Sequence, residues 1–318
     1  MGPLVMIYLK LCIILLSFRL VSCLTDQELA RFQSRHFVEP FSKLQGYVNV
    51  QNNSKSSAFV IKSNGIPDHL TGNEIRGIKA QNYSFLIPKQ PSVMLNTADG
   101  GCLPHGIIAV AINGVPIMNP FTQNCCDSGV AVTDEADICW GLIDADGKYF
   151  YSTPPFCLQK IICHSPDIII GVALDGFPIY GPYDETGRKL TSADLDECHG
   201  TYDRRHNYRY HLTTDYPYMI GCFRGLPLPN QVSDDCACPS LSSTCPTFAE
   251  KSAMADDFQN GSTTTITRNT VLNATLHCCT SEINCDYIYN KAAILTCPML
   301  LYLLLCCLLS CTISLRGF

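Results

Sequence analysis

The side chains in this sequence that are best suited to chemistry are four histidines, two of them with acidic residues nearby. Neutral imidazole and carboxylate groups together suit zinc or copper. No pair of these histidines has the spacing of a recognised metal motif, so two interpretations stay open: a shared copper or zinc site, or histidines that are structural or lie at the surface. The histidines are His69, His105, His199 and His211, and the acidic residues are Asp196, Glu197 and Asp203.

The N-terminal end of the chain predicts export. Residues 1–23 are almost wholly apolar, carry Lys10 and Arg19, and end on small residues before the first acidic residue. This pattern is typical of a secretory signal peptide, with cleavage expected after Cys23.

The C-terminal end predicts attachment to a membrane. Residues 292–315 are apolar and uncharged, which is long enough to cross a bilayer. Because only three residues follow, the tail is either a transmembrane helix or a GPI signal that is replaced by lipid. We favour the GPI signal, with Cys279 or Ser281 as the attachment residue, and we expect the protein at the extracellular face of the plasma membrane.

Cysteine and charge counts fit an exported chain that does not bind nucleic acid. Six of the 20 cysteines lie in the apolar ends, and the other 14 are an even number, as expected for disulfides. Three of the 22 basic residues also lie in those ends. The remaining 19 face 28 acidic residues, a net charge of −9, which argues against nucleic acid and anionic lipid as partners. N-glycosylation sequons stand at Asn52, Asn82, Asn260 and Asn273.

The central part of the chain contains an internal duplication. Residues 107–117 match residues 169–179 position by position. Each copy has an apolar strand, an Asn-Gly or Asp-Gly pair, and a second short strand that begins with proline. This pattern predicts a β-hairpin with a type I′ turn in each copy.

A second block of the duplication carries paired cysteines and tyrosines. Residues 137–151 match residues 196–210 without a gap, and each copy closes on a further cysteine. The tyrosines of each Tyr-x-Tyr strand share one face, which suggests aromatic packing in the interior. The disulfides that the repeat predicts are Cys139–Cys157 and Cys198–Cys222.

Frequent β-branched and aromatic residues, with Gly and Pro between them, predict a mainly β fold. We expect two duplicated β-rich halves, each a hairpin plus a Tyr-x-Tyr strand, in one disulfide-stapled sandwich-like or barrel-like domain, because neither half alone would bury much core. The predicted divisions are a signal peptide (1–23), an N-terminal segment (24–45), the β-rich domain (46–232) with repeat copies at about 104–163 and 166–225, a Cys/Thr-rich stalk (233–291) and the apolar tail (292–315).

Several segments together resemble a known family: Ser63–His69, Asn113–Pro116, Asp175–Pro182, Leu195–Gly200 and Cys222–Gly225. They are similar to the YHYH family of exported, largely uncharacterised proteins, which is named for a Tyr-His-Tyr-His motif. The resemblance implies a β-rich secreted domain without a settled activity. In place of the name motif this chain has Tyr-Phe-Tyr-Ser at 149–152 and Tyr-Arg-Tyr-His at 208–211, so neither copy keeps a His-x-His pair that could chelate a metal.

These patterns favour a membrane-tethered extracellular module that binds an unidentified ligand or serves a structural role. A metal-binding protein or metal-dependent surface enzyme is one alternative, and an adhesion or receptor ectodomain is another. No cofactor is required by the sequence, and copper or zinc would be the fitting ones. No nucleophile elbow or His-Glu-x-x-His helix is present.

Overall fold

Short β-strands make up most of the regular structure. The computed structural model describes residues 24–34, 36–39, 42–69, 71, 77–94, 103–131, 135–137, 139–155, 157–158, 168–232, 236–238 and 240–245. Within them the chain is mainly β, which confirms the predicted fold class. The helices are α1 (Asp26–Leu29) and α2 (Ser128–Ala131), with a 3-10 turn at Ser192–Asp194. The strands are β1 (Val48–Gln51), β2 (Ala58–Ser63), β3 (Tyr83–Pro88), β4 (Ile107–Ala111), β5 (Pro116–Met118), β6 (Gly141–Ile143), β7 (Tyr149–Tyr151), β8 (Ile169–Ala173), β9 (Pro178–Tyr180), β10 (Gly200–Tyr202) and β11 (Tyr208–His211).

The described strands form two sheets. Three strands pair in the order β1-β2-β3, and eight pair in the order β10-β11-β9-β8-β4-β5-β7-β6. Neither sheet closes into a barrel within the described residues, so the barrel-like alternative is excluded there. One apolar cluster includes fully buried residues of both sheets, among them Ile61, Val110 and Ile179.

The large sheet consists of two halves with the same topology and register. β4 and β8 pair antiparallel at the centre, where Val110 lies opposite Val172, and these two residues are equivalent in the repeat. On either side, β5 pairs with β7 in parallel as β9 pairs with β11, and the aligned partners are equivalent as well. The outer antiparallel pairs match in the same way, with Gly141 opposite Tyr151 and Gly200 opposite Tyr210. The duplication therefore folds as two four-stranded halves about a pseudo-twofold axis.

The hairpin turns differ from the predicted type I′ geometry. Gly114 N donates to Ala111 O (2.8 Å) and Ala111 N donates to Val115 O (2.9 Å), which encloses a three-residue loop. Gly114 has a φ of +85°, whereas Asn113 keeps a negative φ. This is the three-residue hairpin with a glycine bulge. Asn113 is held there because its side-chain oxygen accepts from Val115 N (3.2 Å), and the second copy repeats the arrangement at Gly176.

The three-stranded sheet lies across both turns. Ser63, at the end of β2, donates through Oγ to the carbonyl of Gly114 (2.5 Å). At the other end of the same sheet, Pro88 of β3 packs against Gly176. A side chain at Gly114 would collide with Ser63 and Val48, so glycine is required there by space as well as by its positive φ. The small sheet therefore holds the two halves together from one side.

Four disulfides join cysteines of the described residues. Two of them are the pairs that the repeat predicts, and the other two connect the first half to the beginning of the segment predicted as a stalk. Cys238 and Cys245 are thus joined covalently to the first half. The pairs are Cys139–Cys157, Cys198–Cys222, Cys125–Cys238 and Cys126–Cys245.

Within the described residues, no helix is long and apolar enough to cross a membrane. The predicted signal peptide, the tail at 292–315 and the proposed attachment residues Cys279 and Ser281 lie outside those residues.

Candidate functional site

The two halves share a buried tyrosine that is anchored to a turn. Tyr149 OH donates to Asp137 Oδ2 (2.7 Å), and Tyr208 OH donates to Asp196 Oδ1 (2.9 Å). In each half the aspartate also accepts backbone N–H groups of its own turn, including that of the glycine four residues later. The carboxylate therefore fixes the turn and the tyrosine together. Because both copies have this pair, we assign it to the fold.

The inner tyrosine of the second half is held by a fully buried carboxylate. Tyr210 OH donates to Asp175 Oδ2 (2.6 Å) and accepts from Arg224 N (2.7 Å), while Gly225 N donates to Asp175 (2.9 Å). Burial raises the pKa of Asp175, although its hydrogen bonds with Tyr210 and Gly225 act in the opposite direction.

The inner tyrosine of the first half is held differently. Asn113 stands in the place of Asp175 and donates through Nδ2 to Tyr151 OH (3.1 Å) and to Asp68 Oδ1 (2.9 Å). His69 Nε2 lies 2.6 Å from Tyr151 OH. His69 is therefore a side-chain partner of the inner tyrosine in the first half.

The clearest chemical difference between the halves is at the middle of the Tyr-x-Tyr strand. Phe150 stands there in the first half and Arg209 in the second. Arg209 is 7% exposed, with Nη2 2.5 Å from Glu185 Oε1 and 2.9 Å from Asp203 Oδ2. Its guanidinium carbon lies 4.4 Å from the centre of the Tyr180 ring. Charge pairing and cation–π contact together hold a mostly buried cation.

Arg209 borders a small cleft between α1 and the second half, with a volume of about 70 Å³. Glu28 of α1 closes one side, because Tyr180 OH donates to its Oε1. The cleft is therefore lined largely by charged and hydrogen-bonding groups, which can contact a small polar group. The lining residues, which we call the Arg209 cleft, are Thr25, Glu28, Pro178, Tyr180, Asp203, Asn207, Tyr208 and Arg209.

His199 and His211 lie on neighbouring segments of the second half. His211 N donates to His199 O (3.1 Å), and both side chains are 2% exposed. His199 Nε2 is 2.8 Å from Thr213 Oγ1, and His211 Nδ1 donates to Gly181 O (2.9 Å). Burial lowers the pKa of each imidazole to about 4, so both are neutral near neutral pH.

The four predicted metal ligands are not brought together. His69 lies in the first half beside Tyr151, and His105 is exposed, with its ring 5.5 Å from that of Phe121. Only His199 and His211 are neighbours. Of the predicted glycosylation sites, Asn52 and Asn82 are exposed, while Asn260 and Asn273 lie outside the described residues.

Sequence reasoning missed the Arg209 cleft. In the sequence, Arg209 stands out only as a substitution in the name motif. Its partner Glu185 comes from a loop between β9 and β10. Glu28 comes from the N-terminal segment, more than 150 residues away in sequence. The replacement of an apolar residue by a charged one at equivalent positions of the repeat was the available signal.

A family model described as YHYH protein matches residues 84–190. The matched segment contains the whole first Tyr-x-Tyr strand and the second hairpin, and it ends before Tyr208, so it is shorter than the resemblance read from the sequence. No curated protein and no solved structure matched the chain. Residues 84–190 of this chain therefore match the YHYH domain.

Proposed function

We propose that this protein is an extracellular binding module tethered to the membrane by its C-terminal end, and that the Arg209 cleft contacts its ligand. The observation that carries the proposal is the contrast between Phe150 and Arg209 at equivalent positions of one duplicated scaffold. The fold is built in the first half without a charge at this position. The charge in the second half is therefore available for a role other than folding.

The energetic cost of Arg209 supports the same view. Taking a guanidinium and its carboxylate partners out of water costs several kcal/mol per ion, and replacing such a group by apolar residues is often neutral or stabilising. In the first half of the same molecule, the apolar side chain of Phe150 fills the equivalent position. A planar guanidinium that is already oriented by Glu185, Asp203 and Tyr180 suits recognition of a polar ligand.

Export and tethering are supported by the composition of the chain. Disulfides form and persist in oxidising compartments, and four join described cysteines. The apolar segments at residues 1–23 and 292–315 fit a signal peptide and a GPI signal.

A single experiment tests both the attachment of the protein to the cell surface and the binding of a ligand at the Arg209 cleft. The full chain is expressed on cells with a photoreactive phenylalanine analogue in place of Arg205, which lies in the turn beside the cleft. We expect light to cross-link an extracellular ligand, and phosphatidylinositol-specific phospholipase to release the cross-linked product. The matched control carries the analogue at Asp146, the equivalent turn position of the first half, and should give no product.

Arg209→Lys should reduce the cross-link because lysine keeps the charge but loses the planar contact with Tyr180 and Glu185. Phe150→Leu should leave it unchanged. Equal cross-linking from both turns, or none from the second, would contradict binding at the cleft. Retention of the ectodomain in the membrane after phospholipase would show a transmembrane tail instead of a GPI anchor.

A further inference from the structure

One group of three metal-ligating side chains in the described part of the chain has its donor atoms within 4.8 Å of one another. The group consists of His69, Cys139 and Cys157. The side chains are 5%, 0% and 3% exposed, so the group is buried in the first half. The cysteines are joined as a disulfide, and a ring nitrogen of His69 lies within 4.8 Å of both sulfurs.

The equivalent disulfide of the second half, Cys198–Cys222, belongs to no such group of three within the described residues. There the inner tyrosine accepts from the backbone N–H of Arg224, whereas in the first half Tyr151 is paired with the His69 ring. Within the described residues, a histidine nitrogen within 4.8 Å of both sulfurs is therefore found at the disulfide of the first half.

We propose that reduction of Cys139–Cys157 turns this group into a zinc site with His69 as the third ligand. A thiol reductant supplies two electrons and two protons and is itself oxidised to a disulfide, while the Cys139–Cys157 bond becomes two thiols. Zn²⁺ then binds both sulfurs as thiolates, and the two thiol protons are released to solvent. In the disulfide form the sulfurs carry no charge and bind no zinc, so the site exists only after reduction.

Charge balance favours the ion in the reduced state. Two thiolates in a buried place cost free energy unless they are compensated, and one Zn²⁺ neutralises both. Cysteine sulfur and histidine nitrogen are the usual zinc ligands, and three protein donors leave one position of a tetrahedral ion for a further ligand.

The His69 ring is held by a hydrogen bond to a tyrosine. Its Nε2 is held by Tyr151 OH, which in turn accepts from Asn113. A hydrogen bond at one ring nitrogen is the usual means by which a ligating imidazole is fixed.

The test uses the purified full chain, reduced in limited steps with a water-soluble phosphine, which takes oxygen from water as each disulfide becomes two thiols. Mass mapping identifies which pair is open. Zn²⁺ affinity is measured by competition with a chromophoric chelator, and Co²⁺ is used as a spectroscopic probe of thiolate ligation. We expect one zinc per chain once Cys139–Cys157 opens, with a thiolate-to-cobalt absorption band.

His69→Gln should weaken zinc binding by about tenfold or more because a ligand is lost. The matched control, His105→Gln, should not change it, and Cys198→Ser with Cys222→Ser should preserve it. Zinc binding that His69→Gln leaves unchanged, that the oxidised chain shows equally, or that is absent after Cys139–Cys157 opens would overturn the proposal. If the double serine variant fails to fold, the comparison of His69→Gln with His105→Gln decides the question alone.

Discussion

Replacing Gly200 with alanine is expected to destabilise the protein by about 3 to 5 kcal/mol, and Gly141→Ala by a similar amount. In both halves a Cβ at this glycine would overlap the hydroxyl end of the neighbouring tyrosine, Tyr208 or Tyr149. The tyrosine would have to leave its position and lose the hydrogen bond to its aspartate. The loss of stability therefore combines overpacking of the core with an unpaired buried hydroxyl. Urea unfolding of each variant measures the change in the free energy of unfolding.

Gly181→Ala is the matched control. Its Cβ would have no neighbour closer than 3.9 Å, and its φ is not in the left-handed region. We expect the free energy of unfolding to change by less than about 1 kcal/mol, because alanine is tolerated where there is open space and an ordinary backbone conformation. Comparable losses in Gly181→Ala and Gly200→Ala would show that the tyrosine contact is not the cause.

Acidification from pH 6.5 to 4 is expected to destabilise the protein through His199 and His211. Burial lowers the folded pKa of each to about 4 from an ordinary value of 6.5. Between these values the unfolded chain binds protons that the folded chain does not, so the free energy of unfolding falls as pH falls. A pKa shift of this size corresponds to a loss of about 3 kcal/mol in the free energy of unfolding for one imidazole.

Charged groups near the two rings modify this effect without reversing it. Asp215 raises the pKa of His199. Asp184 raises the pKa of His211, whereas Arg209 lowers the pKa of His211. His211→Asn should remove much of the pH dependence, because an amide can still donate to Gly181 O and does not titrate in this range.

The control for the acid experiment is His105→Gln, which removes an exposed histidine and should leave the pH dependence unchanged. The measurement is urea unfolding of each variant at several pH values from 4 to 7. A wild-type stability that stays constant over this range would contradict the neutral, buried assignment of the two rings.

The repeat made much of the large sheet predictable. Equivalent positions in the two copies gave the pairing of Cys139 with Cys157 and of Cys198 with Cys222, and the buried tyrosines, because the same residues recur in the same order. The central pairing of Val110 with Val172 joins the two copies in one sheet, and the repeat alone does not determine it.

The remaining features depend on contacts between distant segments. Glu28 reaches Tyr180 across the whole β-rich region, and Cys238 reaches back to Cys125, so no local pattern shows either contact. The turn type was predicted incorrectly because Asn-Gly is compatible with two hairpin geometries. The buried side-chain bonds of Asn113, which local sequence does not reveal, select the longer loop.

Equilibrium unfolding of Tyr149→Phe, Tyr208→Phe and the double variant tests most directly whether the two halves form one cooperative scaffold. Each change removes one hydrogen bond to an aspartate, at a cost of about 1 to 3 kcal/mol. We predict a single unfolding transition for all three proteins, with the same midpoint by fluorescence and by circular dichroism. Two separate transitions, with only one of them moved by each substitution, would show that the halves unfold independently and would contradict the single scaffold.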